Sequence, residues 1–135
     1  MEMTPSVLWD SSAILAWLDA DDEHHAAAMA ASGALASERR AGIITNYIEA
    51  EAHALLLSRL GRNAAWAWLQ RRPLTVVRLT RGEEERARSI LARYRDKDWS
   101  LCDAMSFALL EVQNIQEAFT YDHHFAQWGK CRIRG

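Results

Sequence analysis

Short apolar runs alternate with amphipathic segments along this chain, and that alternation constrains its fold more than any other feature. Val7-Leu8-Trp9 is too short for a helix and ends at Asp10, so it reads as a buried strand. Ser11 to Asp19 places Ile14, Leu15 and Leu18 on one helical face. Glu23 to Arg40 is alanine-rich and helical, and Gly42-Ile43-Ile44-Thr45 is a second strand. Tyr47 to Leu60 reads as a helix stopped by Gly61, and Asn63 is placed to cap a shorter helix ending at Arg71. After Pro73, Leu74 to Leu79 is a third strand. Glu83 to Arg95 is a helix with an acidic start and a basic end, matching its dipole, and Leu101 to Val112 is another. Ala118 to Tyr121 is a fourth strand, with Cys131-Arg132-Ile133 as a fifth.

Strands separated by helices build βαβ units. The expected fold is therefore α/β, with a central, mostly parallel sheet of four to five strands covered on both faces. At 135 residues, the whole of 1–135 reads as one domain. Half the residues are apolar and a quarter charged, which excludes a disordered chain and a collagen-like one. Cys102 and Cys131 have neither metal spacing nor a disulfide pattern. No apolar run approaches the roughly 18 residues that span a membrane, and Met1 to Pro5 lack a basic leader. A cytoplasmic protein is the expectation. The net charge of −2 argues against a general nucleic-acid coat, although fourteen of the sixteen basic residues are arginine.

In parallel α/β sheets the functional crevice lies beyond the carboxyl ends of the strands. Acids from four separate regions belong there. Asp10 follows the first strand and Asp122 the fourth; Asp103 is in the first turn of a helix; Glu49 and Glu51 come early in the helix after the second strand. Asp103 shares an apolar stripe with Phe107 and Leu110. An inward carboxylate must be paired, protonated or metal-bound, and none of these segments offers a well-placed lysine or arginine. A divalent ion fits an all-oxygen set, and Mg²⁺ or Mn²⁺ is the expected kind. Each acid also has a plain structural reading. Ser100-Leu101-Cys102-Asp103 is a capping box, Asp10 can cap the first helix and Asp122 can sit in a turn. His123 and His124 adjoin Asp122, which opens a metal or proton-transfer role to them, with helix-start or packing roles favoured. Glu49 and Glu51 lie about 200° apart on a helix, so only one can face the crevice, and periodicity does not choose between them.

Four blocks, taken in order, resemble the PIN-domain ribonucleases, in particular VapC-type toxins of toxin–antitoxin pairs. They are Val7 to Ala16 with Asp10 and Ser11, Thr45 to Glu51, Ser100-Leu101-Cys102-Asp103-Ala104, and Phe119 to Phe125 with Thr120 and Asp122. The resemblance covers nearly the whole chain. It implies a three-layer α/β/α PIN-like domain and a Mg²⁺- or Mn²⁺-dependent endoribonuclease. Its catalytic and metal-binding residues would be Asp10, Glu51, Asp103 and Asp122. Asp10 and Asp103 are the implied direct ligands, Glu51 completes the site, and Asp122 acts on a second ion or through water. Ser11 or Thr120 would support a carboxylate. The implied partners are an RNA substrate such as tRNA or rRNA, a cognate antitoxin and a second copy of the chain, with no membrane. Arg39, Arg40, Arg59, Arg62, Arg71 and Arg72 are candidates for RNA contact, with solvation the commoner role for such residues.

Two other enzyme classes place an acid after the first strand. A haloacid-dehalogenase-like phosphatase needs a second aspartate where Ser12 stands, and a receiver-like domain needs a late lysine that Lys97 and Lys130 do not match. A catalytically silent RNA- or protein-binding module, whose acids only cap helices, is the alternative. If the acids crowd together, Asp103→Asn should leave metal-free stability unchanged or raised. If Asp103 is only a helix-end acid, the change should cost roughly 0.3–1 kcal/mol.

Overall fold

The computed structural model describes residues 5–135. Met1 to Thr4, part of the segment read above for a leader, lie outside the described residues. Five strands are present: β1 (Ser6–Trp9), β2 (Ala41–Thr45), β3 (Thr75–Val77), β4 (Glu117–Phe119) and β5 (Arg132–Arg134). Seven helices connect them: α1 (Ser11–Leu18), α2 (His25–Ser37), α3 (Asn46–Leu60), α4 (Arg62–Arg71), α5 (Arg81–Arg93), α6 (Leu101–Val112) and α7 (His123–Trp128).

The sheet order is β3-β2-β1-β4-β5 and every pairing is parallel. The chain runs outward from β1 to β3, then crosses to β4 and β5 on the other side. Right-handed crossovers therefore carry α1 to α4 over one face and α5 to α7 over the other. The expected three-layer α/β/α fold is present. The order reverses between β1 and β4, and there the connections leave in opposite directions, the topological switch point beside which parallel sheets of this kind bind ligands at the carboxyl edge. Trp9 pairs with Phe119, so Asp10 and Thr120 emerge side by side, and the Asp10 amide still donates to the Phe119 carbonyl at 2.9 Å.

Val7, Leu8, Ile44, Ala118 and Phe119 are buried along the three inner strands. Helix α6 is the most deeply seated, with every residue from Asp103 to Leu110 buried. Phe107 stacks on Trp128 and meets Trp99 and Phe125 edge-on, which anchors the short α7.

Several boundaries differ from those read in the sequence. Asn63 does not cap α4: it is exposed within the helix, and Gly61 holds the cap position at φ 93°, a left-handed value that glycine adopts without strain. Helix α5 begins earlier, because Thr80 and Glu83 form a capping box. Strand β4 includes Glu117, an acid that alternation alone would keep out of a buried strand. Glu117 is accommodated by Arg134 at 3.1 Å and Arg40 at 3.4 Å. Helix α7 follows the fourth strand where only a helix start was expected at the histidines. Trp66 is exposed and Trp68 buried, as their positions on different helix faces predict.

Candidate active site

Asp10 is the N-cap of α1 and is 3% exposed. Its Oδ2 accepts the Ser12 amide at 3.3 Å, the Ser12 hydroxyl at 2.7 Å and the Thr120 hydroxyl at 3.1 Å. Each hydroxyl is itself held by the loop after β4: Tyr121 N–H donates to Ser12 Oγ at 3.0 Å, and Asp122 N–H to Thr120 Oγ1 at 2.9 Å. Two relays thus run from the β4–α7 loop into one oxygen of Asp10. Burial is the largest influence on this carboxyl and raises its pKa from 3.8 to about 6; the Ser12 hydrogen bond opposes that, and the charges of Asp122, Asp103 and Glu51 add to it.

Asp103 occupies the third position of α6, and its Oδ2 closes the capping box by accepting Ser100 N–H at 3.0 Å. The same oxygen lies 2.9 Å from His124 Nδ1. Asp122 is the N-cap of α7, accepting His124 N–H on Oδ1 at 2.9 Å. Glu51 accepts a hydrogen bond from the Ser11 hydroxyl. Burial, then the charges of Glu51, Asp10 and Asp103, push the neighbouring Cys102 thiol well above its usual range.

The structure therefore brings all four sequence-selected acids to one edge. Glu51, rather than Glu49, is the glutamate whose charge acts on Asp10. Ser11 and Thr120 both support carboxylates, and Ser12 is a third hydroxyl that the sequence reading did not select. The capping roles are real too: Asp10 and Asp122 are N-caps and Asp103 closes the capping box of α6, and the charges of Asp103 and Asp122 also act on Asp10. One residue capable of both needs no choice between the readings, because a carboxylate has two oxygens.

His124 stands in the first turn of α7, the helix-start place expected for it. Its ring does more than that: it bridges Asp103 and Asp122, with Nδ1 also 3.3 Å from Asp122 Oδ1. The signal in the sequence was its spacing: two positions after the N-cap Asp122, it begins a helix beside the acid. His123 is largely exposed; Asp122, His123 and His124 bring possible ligand atoms within 4.8 Å of one another.

The donor set fits a hard cation. Among the described residues, the hydrogen bonds to Asp10, Asp103 and Asp122 fall on one oxygen of each, and no lysine or arginine forms an ion pair with these three or with Glu51. Crowded carboxylates with unpaired oxygens and a raised Asp10 pKa are what a divalent ion would relieve.

Comparison with known proteins identifies the family. The PIN-domain family profile matches residues 7–130. The 23S rRNA-specific endonuclease VapC20 of Mycobacterium tuberculosis is 36% identical over 93 residues, covering 67% of this chain and 71% of that protein. The crystal structure of Mycobacterium tuberculosis VapC20, described as a sarcin–ricin-loop-cleaving toxin, superposes with a TM-score of 0.84 at 29% identity, covering 96% of this chain and all of that one. A toxin–antitoxin complex from Klebsiella pneumoniae shares the fold at a TM-score of 0.68 and 15% identity, over 94% of this chain and 96% of that one. The chain belongs to the PIN-domain family and, within it, to the VapC-type endonucleases.

Proposed function

We propose that this chain is a Mg²⁺- or Mn²⁺-dependent endoribonuclease, the toxin of a toxin–antitoxin pair, and that it stops translation by cutting a structured loop of ribosomal RNA. The observation that carries the reading is the convergence of Asp10, Glu51, Asp103 and Asp122 at the switch point, with no lysine or arginine paired to them among the described residues. Asp10 and Asp103 are the direct ligands in this reading, each offering the oxygen that no donor occupies. Glu51, steadied by Ser11, completes the site and orients the attacking water. Asp122 holds a second ion or acts through water. When bound, a divalent ion supplies the positive charge a phosphodiester requires and lowers the pKa of its own water toward neutrality.

The rest of the chemistry belongs to the chain. Ser12 and Thr120 fix the Asp10 carboxylate, so its free oxygen is oriented before substrate arrives. Burial at the switch point keeps bulk water from screening the cluster. Four of the six arginines suggested for RNA contact are not well placed for it. Arg40 is engaged with Glu117, and Arg39, Arg71 and Arg72 precede strands, at the amino edge. Arg78, directly after β3, and Arg81, the first residue of α5, are exposed at the carboxyl edge and are the better candidates for holding RNA phosphates. The name of VapC20 favours ribosomal RNA over tRNA as the substrate class.

A protein partner also has a surface. Trp17, Leu18, Leu56, Leu60, Trp68 and Pro73 line a mostly apolar cleft of about 220 Å³, with Arg71 also in its lining. That face supports an antitoxin segment or a second copy as occupant. No helix among the described residues is long and apolar enough to cross a membrane, and a cytoplasmic location is part of this proposal.

The test is cleavage of isolated ribosomes and of bulk tRNA, with ends mapped by primer extension. Mn²⁺ or Mg²⁺ should produce discrete cuts in ribosomal RNA that EDTA, Asp10→Asn and Asp103→Asn each abolish. Metal-independent cutting, or folded variants that cut like the wild type, would overturn the reading.

A further inference from the structure

We propose that His124 is a positioning residue for the nuclease centre: its imidazole holds Asp103 by one oxygen and so turns the other toward the cation. This inference rests on the metal-dependent reading above. An ionised carboxylate only accepts, so the 2.9 Å contact between His124 Nδ1 and Asp103 Oδ2 requires the ring to donate from Nδ1. Ser100 N–H donates to the same Oδ2 at 3.0 Å. Two donors from different directions on one oxygen fix the carboxyl plane, and Oδ1 is left for a ligand.

Capping alone explains the Ser100 contact. It does not explain the ring, which comes from a different element 21 residues further along the chain. His124 is itself held: its backbone N–H is bonded to Asp122 Oδ1 at 2.9 Å, and the adjoining Phe125 is fully buried against Phe107. The ring bridges the first turn of α6 and the loop before α7, and it sets the separation of two acids that would otherwise repel. Partners of this kind, one bond removed from a metal, typically change its affinity by roughly tenfold to a hundredfold.

The test is Mn²⁺ binding to the full, EDTA-stripped chain, with free Mn²⁺ followed by electron paramagnetic resonance, and unfolding in EDTA measured alongside. His124→Ala should raise the Mn²⁺ Kd by roughly tenfold to a hundredfold. His124→Asn, whose amide nitrogen reaches about the position of Nδ1, should restore binding to within about threefold of wild type, whereas His124→Gln, whose nitrogen extends to about Nε2, should not. A merely structural histidine would not discriminate between the two amides. If His124→Ala does not fold, the Asn and Gln variants decide: tight binding by Asn and weak binding by Gln supports the proposal, and equal binding overturns it. Wild-type binding with an unchanged Kd in His124→Ala overturns this inference alone. No Mn²⁺ binding by the wild type overturns the metal reading and this inference with it.

Discussion

Thr120 donates to Asp10 Oδ2 at 3.1 Å across 110 residues of sequence, and its oxygen accepts the Asp122 amide at 2.9 Å. One hydroxyl thus ties the acid after β1 to the acid after β4. Thr120→Val keeps the shape but removes both bonds and leaves the Asp122 amide without its acceptor. The expected loss is about 1–3 kcal/mol in urea unfolding. Ser12→Ala should act through the same oxygen. A double-mutant cycle between the two should therefore show coupling above about 0.5 kcal/mol, since they share Asp10. Strict additivity would mean the relays do not meet there.

Asp10 provides a pH signature. Its folded-state pKa is about 6 against 3.8. The folded chain therefore binds the proton more tightly than the unfolded chain does. The resulting stabilisation is full below 3.8 and is lost as pH rises through about 6. At 1.36 kcal/mol per unit the change is on the order of 3 kcal/mol. In metal-free buffer, Asp10→Asn should match wild type near pH 4 and exceed it by up to about that amount above pH 7. Thermal unfolding across this range checks it; a variant less stable than wild type at pH 7.5 would contradict the crowding of charge. Asp103→Asn also perturbs the capping box and the His124 contact, because Asp103 accepts from Ser100 and lies against His124 Nδ1.

Mn²⁺ should reverse that pH trend. Protons and metal compete for the same carboxylates, so affinity should weaken as pH falls through about 6, the Asp10 value. Calorimetric titration at pH 5.5 and pH 7.5 should give a Kd at least several-fold weaker at the lower pH, with proton release on binding.

Cys102 reports the same field from another side. Burial and the Glu51, Asp10 and Asp103 carboxylates hold its thiol protonated. Its alkylation by iodoacetamide at pH 8 should be slower than that of a free thiol, and Glu51→Gln should speed it up. Peptide mapping separates Cys102 from Cys131. Equal rates in wild type and variant would place Glu51 away from the thiol.

Gly42 tests the packing beneath the site. A Cβ there would meet Leu74 Cδ2 at 2.6 Å and Trp9 Nε1 at 3.0 Å. Trp9 is the last residue of β1, directly before Asp10. Gly42→Ala should cost about 1–3 kcal/mol by overpacking. A neutral result in chemical denaturation would show that Leu74 can move aside freely.

Much of this molecule was legible from local pattern. Strand runs such as Val7-Leu8-Trp9 and Gly42-Ile43-Ile44-Thr45 differ in period and length from the helical segments around them, and period is a property of adjacent residues. Their alternation leads to a parallel sheet, and a parallel sheet has one carboxyl edge, so the positions of Asp10, Asp103 and Asp122 in the sequence already assign them to it. Ser100 and Asp103 are three residues apart, and their capping box was equally readable. Other features depend on residues far apart in the chain. The choice of Glu51 over Glu49 follows from the rotation of α3 against Ser11 and Asp10, which helical periodicity leaves open when apolar residues surround both acids. Glu117 enters a buried strand because Arg134 and Arg40 reach it from other elements. His124 joins Asp103 because Phe125 and Trp128 seat α7 on Phe107. In each case a side chain's role is set by a partner that packing alone brings within hydrogen-bonding distance, and packing is not a local property of the sequence.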